Sequence, residues 1–341
     1  MKKSLMTLGV LALFVLMAYG QEKKFALYSV AFYNMENLFD TIHDEGKNDY
    51  EYLPNGTNQW NTMKYKAKLK NMSEILSLLS TDKLPMGPAI IGVSEIENYR
   101  VLEDILKQPA LADRGYQYVH YEGEDRRGVD CAFFYNPQLF ELTNSKLVPY
   151  VYINDTVHKT RGFLIASGNI AGEKMHFIVN HWPSRAAASP ARERAGEQVR
   201  AIKDSLLRED SAAKIVIMGD MNDDPMDKSM AVALGAKRKP ADVGPTDLYN
   251  PWWDTLKKGY GTLMYKGKWN LFDQIVFTGN LLGTDRSTLK FYKHEIFRRD
   301  FMFQKEGKYK GYPKRTQAGG VWLNGYSDHL PTIIYLIKEV K

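Results

Sequence analysis

The chain has 341 residues, of which 44% are hydrophobic, 25% charged and 12% aromatic. That balance excludes collagen-like, coiled-coil and bulk-disordered chains, and the length allows one large domain or two ordinary ones. Cys131 is the one cysteine and the formal net charge is +6, so internal disulfides and thiolate metal clusters are excluded.

The amino terminus reads as a targeting segment. Lys2 and Lys3 precede an uncharged apolar run, Leu5 to Met17, and Ala18-Tyr19-Gly20 offers small residues for a signal peptidase. The run is shorter than the roughly 20 residues a spanning helix needs. Residue 21 is Gln21, where a lipoprotein anchor would need cysteine. Residues 1–20 are expected to be a signal peptide, and residues 21–341 a single domain that is secreted or periplasmic and has no stable membrane anchor.

Phe25 to Tyr33 alternates and is rich in Val, Phe and Tyr, which predicts a strand. Asp40 to Asn61 is polar and reads as a loop. Tyr65, Leu69, Met72, Leu76 and Leu79 then recur at steps of three and four, an amphipathic helix starting near Thr62. A short apolar strand at Ala89 to Val93 leads to a helix at Tyr99 to Lys107. Strands follow at Tyr116 to Tyr121, Val129 to Tyr135, Phe163 to Ile170 and Met175 to Asn180. Ser189 as cap and Pro190 as first helical residue predict a long helix with Ala191, Ala195, Val199, Ile202 and Leu206 inward. Lys214 to Met218, Leu271 to Phe277 and Leu330 to Ile337 are further strands. Strands outnumber helices, which fall between strand runs. The pattern predicts layered α/β structure with mostly antiparallel sheets.

Several polar residues stand where these strands should end. Asn34 and Glu36 close the first strand, Glu95 follows Ile90-Ile91-Gly92-Val93-Ser94, and His181 follows Phe177-Ile178-Val179-Asn180. Asp220 and Asn222 follow Ile215 to Gly219, Asp273 interrupts an apolar run, and Asp328-His329 precede the last strand. Each also has a plain reading as a turn or strand cap. Together they form a set of hard oxygen donors, which suits Mg²⁺, Mn²⁺ or Ca²⁺. Two histidines beside acids, a hard cation and nearby arginines suit hydrolysis of a phosphate ester.

Five pieces, in this order, resemble the endonuclease/exonuclease/phosphatase superfamily: Phe32-Tyr33-Asn34-Met35-Glu36-Asn37-Leu38, Gly92-Val93-Ser94-Glu95, Gly219-Asp220-Met221-Asn222, Phe272-Asp273-Gln274-Ile275 and Ser327-Asp328-His329-Leu330-Pro331. The resemblance implies a four-layered α/β sandwich with two facing sheets and a Mg²⁺ or Mn²⁺ cofactor. It gives Glu95 the role of principal metal ligand, with Asn34 beside the metal and Asp328 as a further carboxylate near it. Asp220 becomes the acid that positions or activates the attacking water, Asn222 its hydrogen-bonding partner, and Asp273 the acid that orients the catalytic His329. His181 resembles a second catalytic histidine, with Glu122, Glu124 and Asp125 all open as its acidic partner, and Arg161 a phosphate-contacting arginine. Arg126 and Arg127 face phosphate or are plain loop charges, and Trp252, Trp253 and Trp269 stack on bases or pack in the core.

Arg286 to Arg315 carries ten Lys/Arg against three Asp/Glu, a candidate phosphate-facing surface. The expected function is therefore a secreted metal-dependent phosphodiesterase acting on nucleic acid, a nuclease. The alternatives are a phosphatase or phosphodiesterase for lipid (sphingomyelin) or inositol phosphates, and a non-catalytic nucleic-acid-binding protein.

Overall fold

A computed structural model describes residues 23–153, 155 and 157–340, and the expected signal peptide lies outside them. From the amino terminus the elements are β1 (Lys24–Leu38), α1 (Thr62–Leu78), β2 (Ile90–Ile96), α2 (Tyr99–Leu106), β3 (Gln117–His120), β4 (Asp130–Tyr135) and β5 (Glu141–Val148). Next come β6 (Phe163–Ile170), β7 (Glu173–His181), α3 (Ser189–Glu209), β8 (Lys214–Asp220), β9 (Ala236–Lys237), β10 (Leu248–Tyr249) and α4 (Trp253–Lys257). The chain ends with β11 (Leu263–Tyr265), β12 (Lys268–Asn270), β13 (Asp273–Thr278), β14 (Lys290–Ile296), β15 (Gln317–Ala318), β16 (Val321–Trp322) and β17 (Thr332–Val340). None of the described helices is long and apolar enough to cross a membrane.

Two sheets dominate, a six-stranded one ordered β14-β17-β1-β2-β4-β3 and a seven-stranded one ordered β5-β6-β7-β8-β13-β10-β9. Most neighbours run antiparallel, but the central pairs β1–β2 and β7–β8 are parallel. Alternation along β1 shows why four layers form. Ala31, Tyr33 and Met35 pack against α1 residues Leu69, Met72 and Leu76 on the outer face. Val30 and Phe32 point the other way, meeting Phe177, Val179, Val216 and Met218 of the second sheet. The far face of that sheet carries Ile178, Ile215 and Ile217 against Ala195, Val199 and Leu206 of α3. Both central sheets are covered on both faces, so their strands read as continuous apolar runs. At Gly92 the sheets approach so closely that a Cβ would lie 2.5 Å from Met218 Sδ.

The α/β sandwich is thus as expected, with local differences. β5 is missing from the sequence reading because it is an edge strand with a mostly half-exposed, unpatterned face. β14 is missing because edge strands carry charge, here Lys290, Lys293 and Glu295. The cap of α3 is Ala188 rather than Ser189, with no side-chain bond. Its Ala191 is only half-buried, and Arg192 takes the inward place, donating to the Ser184 and Ala187 carbonyls. Within the predicted loop Asp40 to Asn61, Tyr50–Tyr52 makes one helical turn, and Tyr52 and Trp60 are buried.

The fold carries one acid-sensitive point away from the strand ends. His294 on β14 shares a hydrogen bond with Thr255 Oγ1 at 2.9 Å through Nε2 and packs beside Trp252. Burial, with Lys258 nearby, lowers its pKa to about 4, against about 6.5 in an unfolded chain. Above 6.5 both states are neutral. Below it the unfolded chain takes up a proton that the folded one refuses, so stability is lost as pH falls from 6.5 towards 4. His294→Gln should flatten that part of a urea-unfolding profile by up to about 3 kcal/mol; an unchanged acid limb would show that His294 does not set it.

Candidate active site

The parallel pairs end side by side, and the antiparallel β13 and β17 begin at the same edge. This places Asn34 (β1), Glu95 (β2), His181 (β7), Asp220 (β8), Asp273 (β13) and His329 (before β17) together. His181 is in register with Asp220, and Asp273 with Asp220 across the other neighbour. Gly219 permits this, because a Cβ there would lie 2.3 Å from the Asn180 carbonyl oxygen. The strand ends are also bent: the β1–β2 register slips between Asn34 and Leu38. Glu36, Asn37, Glu95 and Asn222 have positive φ of 46°, 55°, 60° and 52°. Such left-handed residues cost of order 1–3 kcal/mol each and cluster where function requires a fixed aim.

His329 Nδ1 donates to Asp273 Oδ2 at 2.7 Å, and the His329 backbone N–H donates to Ser327 Oγ. Nε2 is thereby left facing the cleft, 3.8 Å from Asp220 Oδ2 and 3.9 Å from Asp328 Oδ1. Burial alone would lower the imidazole pKa, but the attraction of Asp273 and Asp220 overrides it and raises the pKa well above the ordinary value.

Asn34 Nδ2 donates to Glu95 Oε1 at 3.1 Å and to Asp220 Oδ2 at 3.0 Å. Its own Oδ1 accepts from the Glu36 N–H, so one buried amide holds two carboxylates together. Glu95 Oε2 accepts from the Asn37 N–H. His181 Nε2 lies 3.7 Å from both acids. Burial pushes the Asp220 carboxyl up to about 7, with His329 opposing and Asp273 and Glu95 adding to the shift. Glu95, His181 and Asp220 bring three ligand atoms within 4.8 Å of one another, as do Asp220, Asp273 and His329. Crowded acids short of positive charge, mostly oxygen donors with one imidazole, fit a hard divalent cation.

The same cleft also carries arginines. Arg161 is buried, donating to Thr160 Oγ1, Asp125 Oδ2 and the Trp182 carbonyl, and it lines a cleft of about 420 Å³ with Arg127, His181, Asn222 and His329. Asp125 is therefore engaged by Arg161, and none of Glu122, Glu124 and Asp125 bonds His181. The buried His181 Nδ1 has no partner among the described residues. Burial, then Arg161 and Arg127, lower the His181 pKa well below normal, so this imidazole is neutral.

Three expectations need adjusting. Asn222 serves Asp220 through its backbone N–H, which donates to Oδ1, while its side chain donates to the Trp182 carbonyl. Asp328 is gripped by Arg315 at 2.9 Å and is in neither ligand group. The segment Arg286 to Arg315 is not one surface. Lys290 pairs with the Ile337 end of β17, away from the site end at Thr332. Arg298 packs on Trp269 and Phe303, and Arg299 on Phe297. Trp252 is core, buried beneath His294.

A supporting layer escapes the sequence reading. Glu36 is buried and accepts from Arg315 Nε and the Thr316 N–H, both at 2.7 Å. Lys68 of α1 is fully buried and donates to Thr316 Oγ1 and the Tyr326 carbonyl. This layer ties segment 315–328 to β1. A lysine one step from the apolar stripe of α1 was the available signal.

The sequence matches the endonuclease/exonuclease/phosphatase family over residues 29–338. A search among curated proteins found no match. Among solved structures the fold is similar to an endonuclease/exonuclease/phosphatase family protein from Bacteroides thetaiotaomicron, at 15% identity and TM-score 0.57, covering 93% of this chain and 97% of that one. It is also similar to D. rerio TDP2 complexed with single strand DNA product, at 14% identity and TM-score 0.52, covering 91% and 99%. A Bacteroides thetaiotaomicron mannosyl-6-phosphatase is similar at 15% identity and TM-score 0.56, covering 91% and 99%. Identities this low establish shared fold alone.

Proposed function

The chain belongs to the endonuclease/exonuclease/phosphatase family, whose members are metal-dependent phosphoester hydrolases, and from that premise we propose that residues 21–341 form one exported catalytic domain that hydrolyses a phosphate ester with Mg²⁺ or Mn²⁺. The reading is carried by one observation: the His329–Asp273 pair opens onto the same cleft as Glu95, Asp220 and Arg161. Export is supported by Lys2, Lys3, the apolar run Leu5 to Met17 and Ala18-Tyr19-Gly20.

Glu95 would hold the cation, which when bound neutralises charge on the phosphoryl oxygens. Asn34, expected beside the metal as a ligand, instead holds the Glu95 and Asp220 carboxylates through its amide NH2. Asp220, with one oxygen fixed by the Asn222 N–H, aims the other at the attacking water and takes its proton. His329, held by Asp273, donates from Nε2 to the phosphoryl group as charge develops on it. Arg161 and the neutral His181 line the same cleft and are left to face the remaining oxygens.

The fold does not choose the substrate: of the similar structures, one holds a single-strand DNA product and another is a mannosyl-6-phosphatase. For the nucleic-acid phosphodiester expected from sequence there remain the two histidines in one cleft, which serve any phosphate ester. The divided basic segment withdraws its other support. The mature protein should hydrolyse p-nitrophenyl phosphate or bis-p-nitrophenyl phosphate in Mg²⁺ or Mn²⁺, and chelator should abolish this. Assays on duplex and single-stranded DNA, RNA, sphingomyelin and inositol phosphates then rank the esters. Binding of nucleic acid with no turnover of any ester would replace the enzyme reading with the binding one.

A further inference from the structure

Beyond Asp328 and Leu263, which border both spaces, the catalytic cleft opens into a groove of about 910 Å³. That is near the upper end of small-molecule sites, roughly 300–1,000 Å³. Its walls are the β11–β12 hairpin and the segment 304–323, and its floor includes the buried Tyr52 and Trp60. The walls are tied together, because the Gly267 N–H donates to Tyr312 Oη at 2.6 Å, and Tyr312 meets Tyr309 edge to face. Tyr265 and Tyr309 remain 61% and 51% exposed, so their rings are available to a ligand.

The charge of this lining is informative. Its positive side chains are Lys266, Lys308 and Arg315; its negative ones are Glu36, Glu51, Glu306 and Asp328. Arg315 is already committed to Glu36 and Asp328. Lys266 and Lys308 lie over the Tyr265 and Tyr309 rings at 5.3 and 5.5 Å, and Glu51 and Glu306 balance them. A nucleic-acid strand places a phosphate at every nucleotide and needs surplus Lys or Arg to neutralise it. This groove has none. An acyl chain would strip water from the Asn37, Asn58, Gln304 and Gln317 amides without replacing its hydrogen bonds, which is costly. Exposed tyrosine rings and four side-chain amides, in a lining whose charges balance, suit a neutral group that has C–H faces to lie on the rings and hydroxyls to hydrogen-bond.

We propose that the groove holds the glycosyl part of the substrate while its phosphate lies in the catalytic cleft, so that the ester cleaved is carried on a carbohydrate rather than on a nucleic-acid strand. This rests on the phosphoesterase reading, and the controls separate the two. The assay compares trehalose 6-phosphate, AMP and a single-stranded oligodeoxynucleotide in Mg²⁺, with p-nitrophenyl phosphate and its bis ester as references. The expected result is the highest kcat/KM on trehalose 6-phosphate. Tyr265→Ala and Tyr309→Ala should each raise its KM about tenfold and leave kcat on the reference ester and calorimetric Mg²⁺ affinity unchanged. Both tyrosines are exposed, so the variants should fold. Preference for the oligonucleotide or for AMP, or tyrosine variants that leave the trehalose 6-phosphate KM unchanged, would overturn the proposal. Failure of wild type on both reference esters would instead remove the phosphoesterase reading beneath it.

Discussion

His329→Ala lowers kcat by about 10²–10⁴, roughly 3–5 kcal/mol of transition-state stabilisation, with little change in KM. The expectation rests on geometry. Nδ1 is committed to the fully buried Asp273 carboxylate at 2.7 Å, and the backbone N–H is anchored on Ser327. Nε2 is thereby fixed toward the cleft, and Asp273 and Asp220 keep the imidazole charged against the pull of burial. A charged donor already aimed at the phosphoryl group needs no reorganisation when oxyanion charge develops. Asp273→Asn should show a comparable loss, because an amide neither holds the same tautomer nor supports the charge. The two changes act on one unit, so the double variant should be little worse than either single one. If Asp273 and His329 only cap strands, both variants lose stability and the folded fraction keeps its kcat. A loss smaller than about tenfold in folded His329→Ala would end the catalytic assignment.

The strand ends were legible because a carboxylate or imidazole closing an apolar run is conspicuous. Asn34, Glu95, Asp220, Asp273 and His329 each follow, precede or interrupt such a run, and the structure gathers all five. Which atom serves which partner was not legible. Asn222 reaches Asp220 through its backbone, and only a folded turn with φ of 52° reveals that. Asp125 and Arg161 are 36 residues apart and meet only because the β3–β4 loop of one sheet and the segment before β6 of the other come to the same edge. The helices were read from period, yet α3 starts without a side-chain cap because Arg192 anchors its first turn to the Ser184 and Ala187 carbonyls. The basic segment misled for a related reason. Adjacent residues on β14 and the following turn point to different surfaces, so a net charge along the sequence did not become a patch. The groove was invisible because its walls come from stretches near residues 52, 265 and 310, none of which is unusual alone.

Glu95→Gln should separate metal binding from folding. Gln keeps the shape of Glu, but its one oxygen can replace only one of the two acceptors, toward the Asn34 amide or toward the Asn37 N–H, so one of these hydrogen bonds is lost at a cost of about 1 kcal/mol. It also loses one negative charge beside Asp220. In the metal-free protein that charge is a burden: Glu95 is among the groups that raise the buried Asp220 carboxyl. Relief of that charge offsets the lost hydrogen bond, so the variant should melt close to wild type without metal. With Mg²⁺ or Mn²⁺ the two separate. A ligand at 100 times its Kd stabilises the native state by about 2.7 kcal/mol, a rise of several degrees for a protein of this size, taking about 2–4 °C per kcal/mol. Wild type should show that rise, and Glu95→Gln should show little of it, with calorimetric affinity and phosphoesterase activity falling together. A variant merely damaged in folding would melt lower under both conditions and respond to metal as wild type does. Unchanged metal affinity in calorimetry would take Glu95 out of the ligand set and leave Asp220 and His181 as the groups to test next.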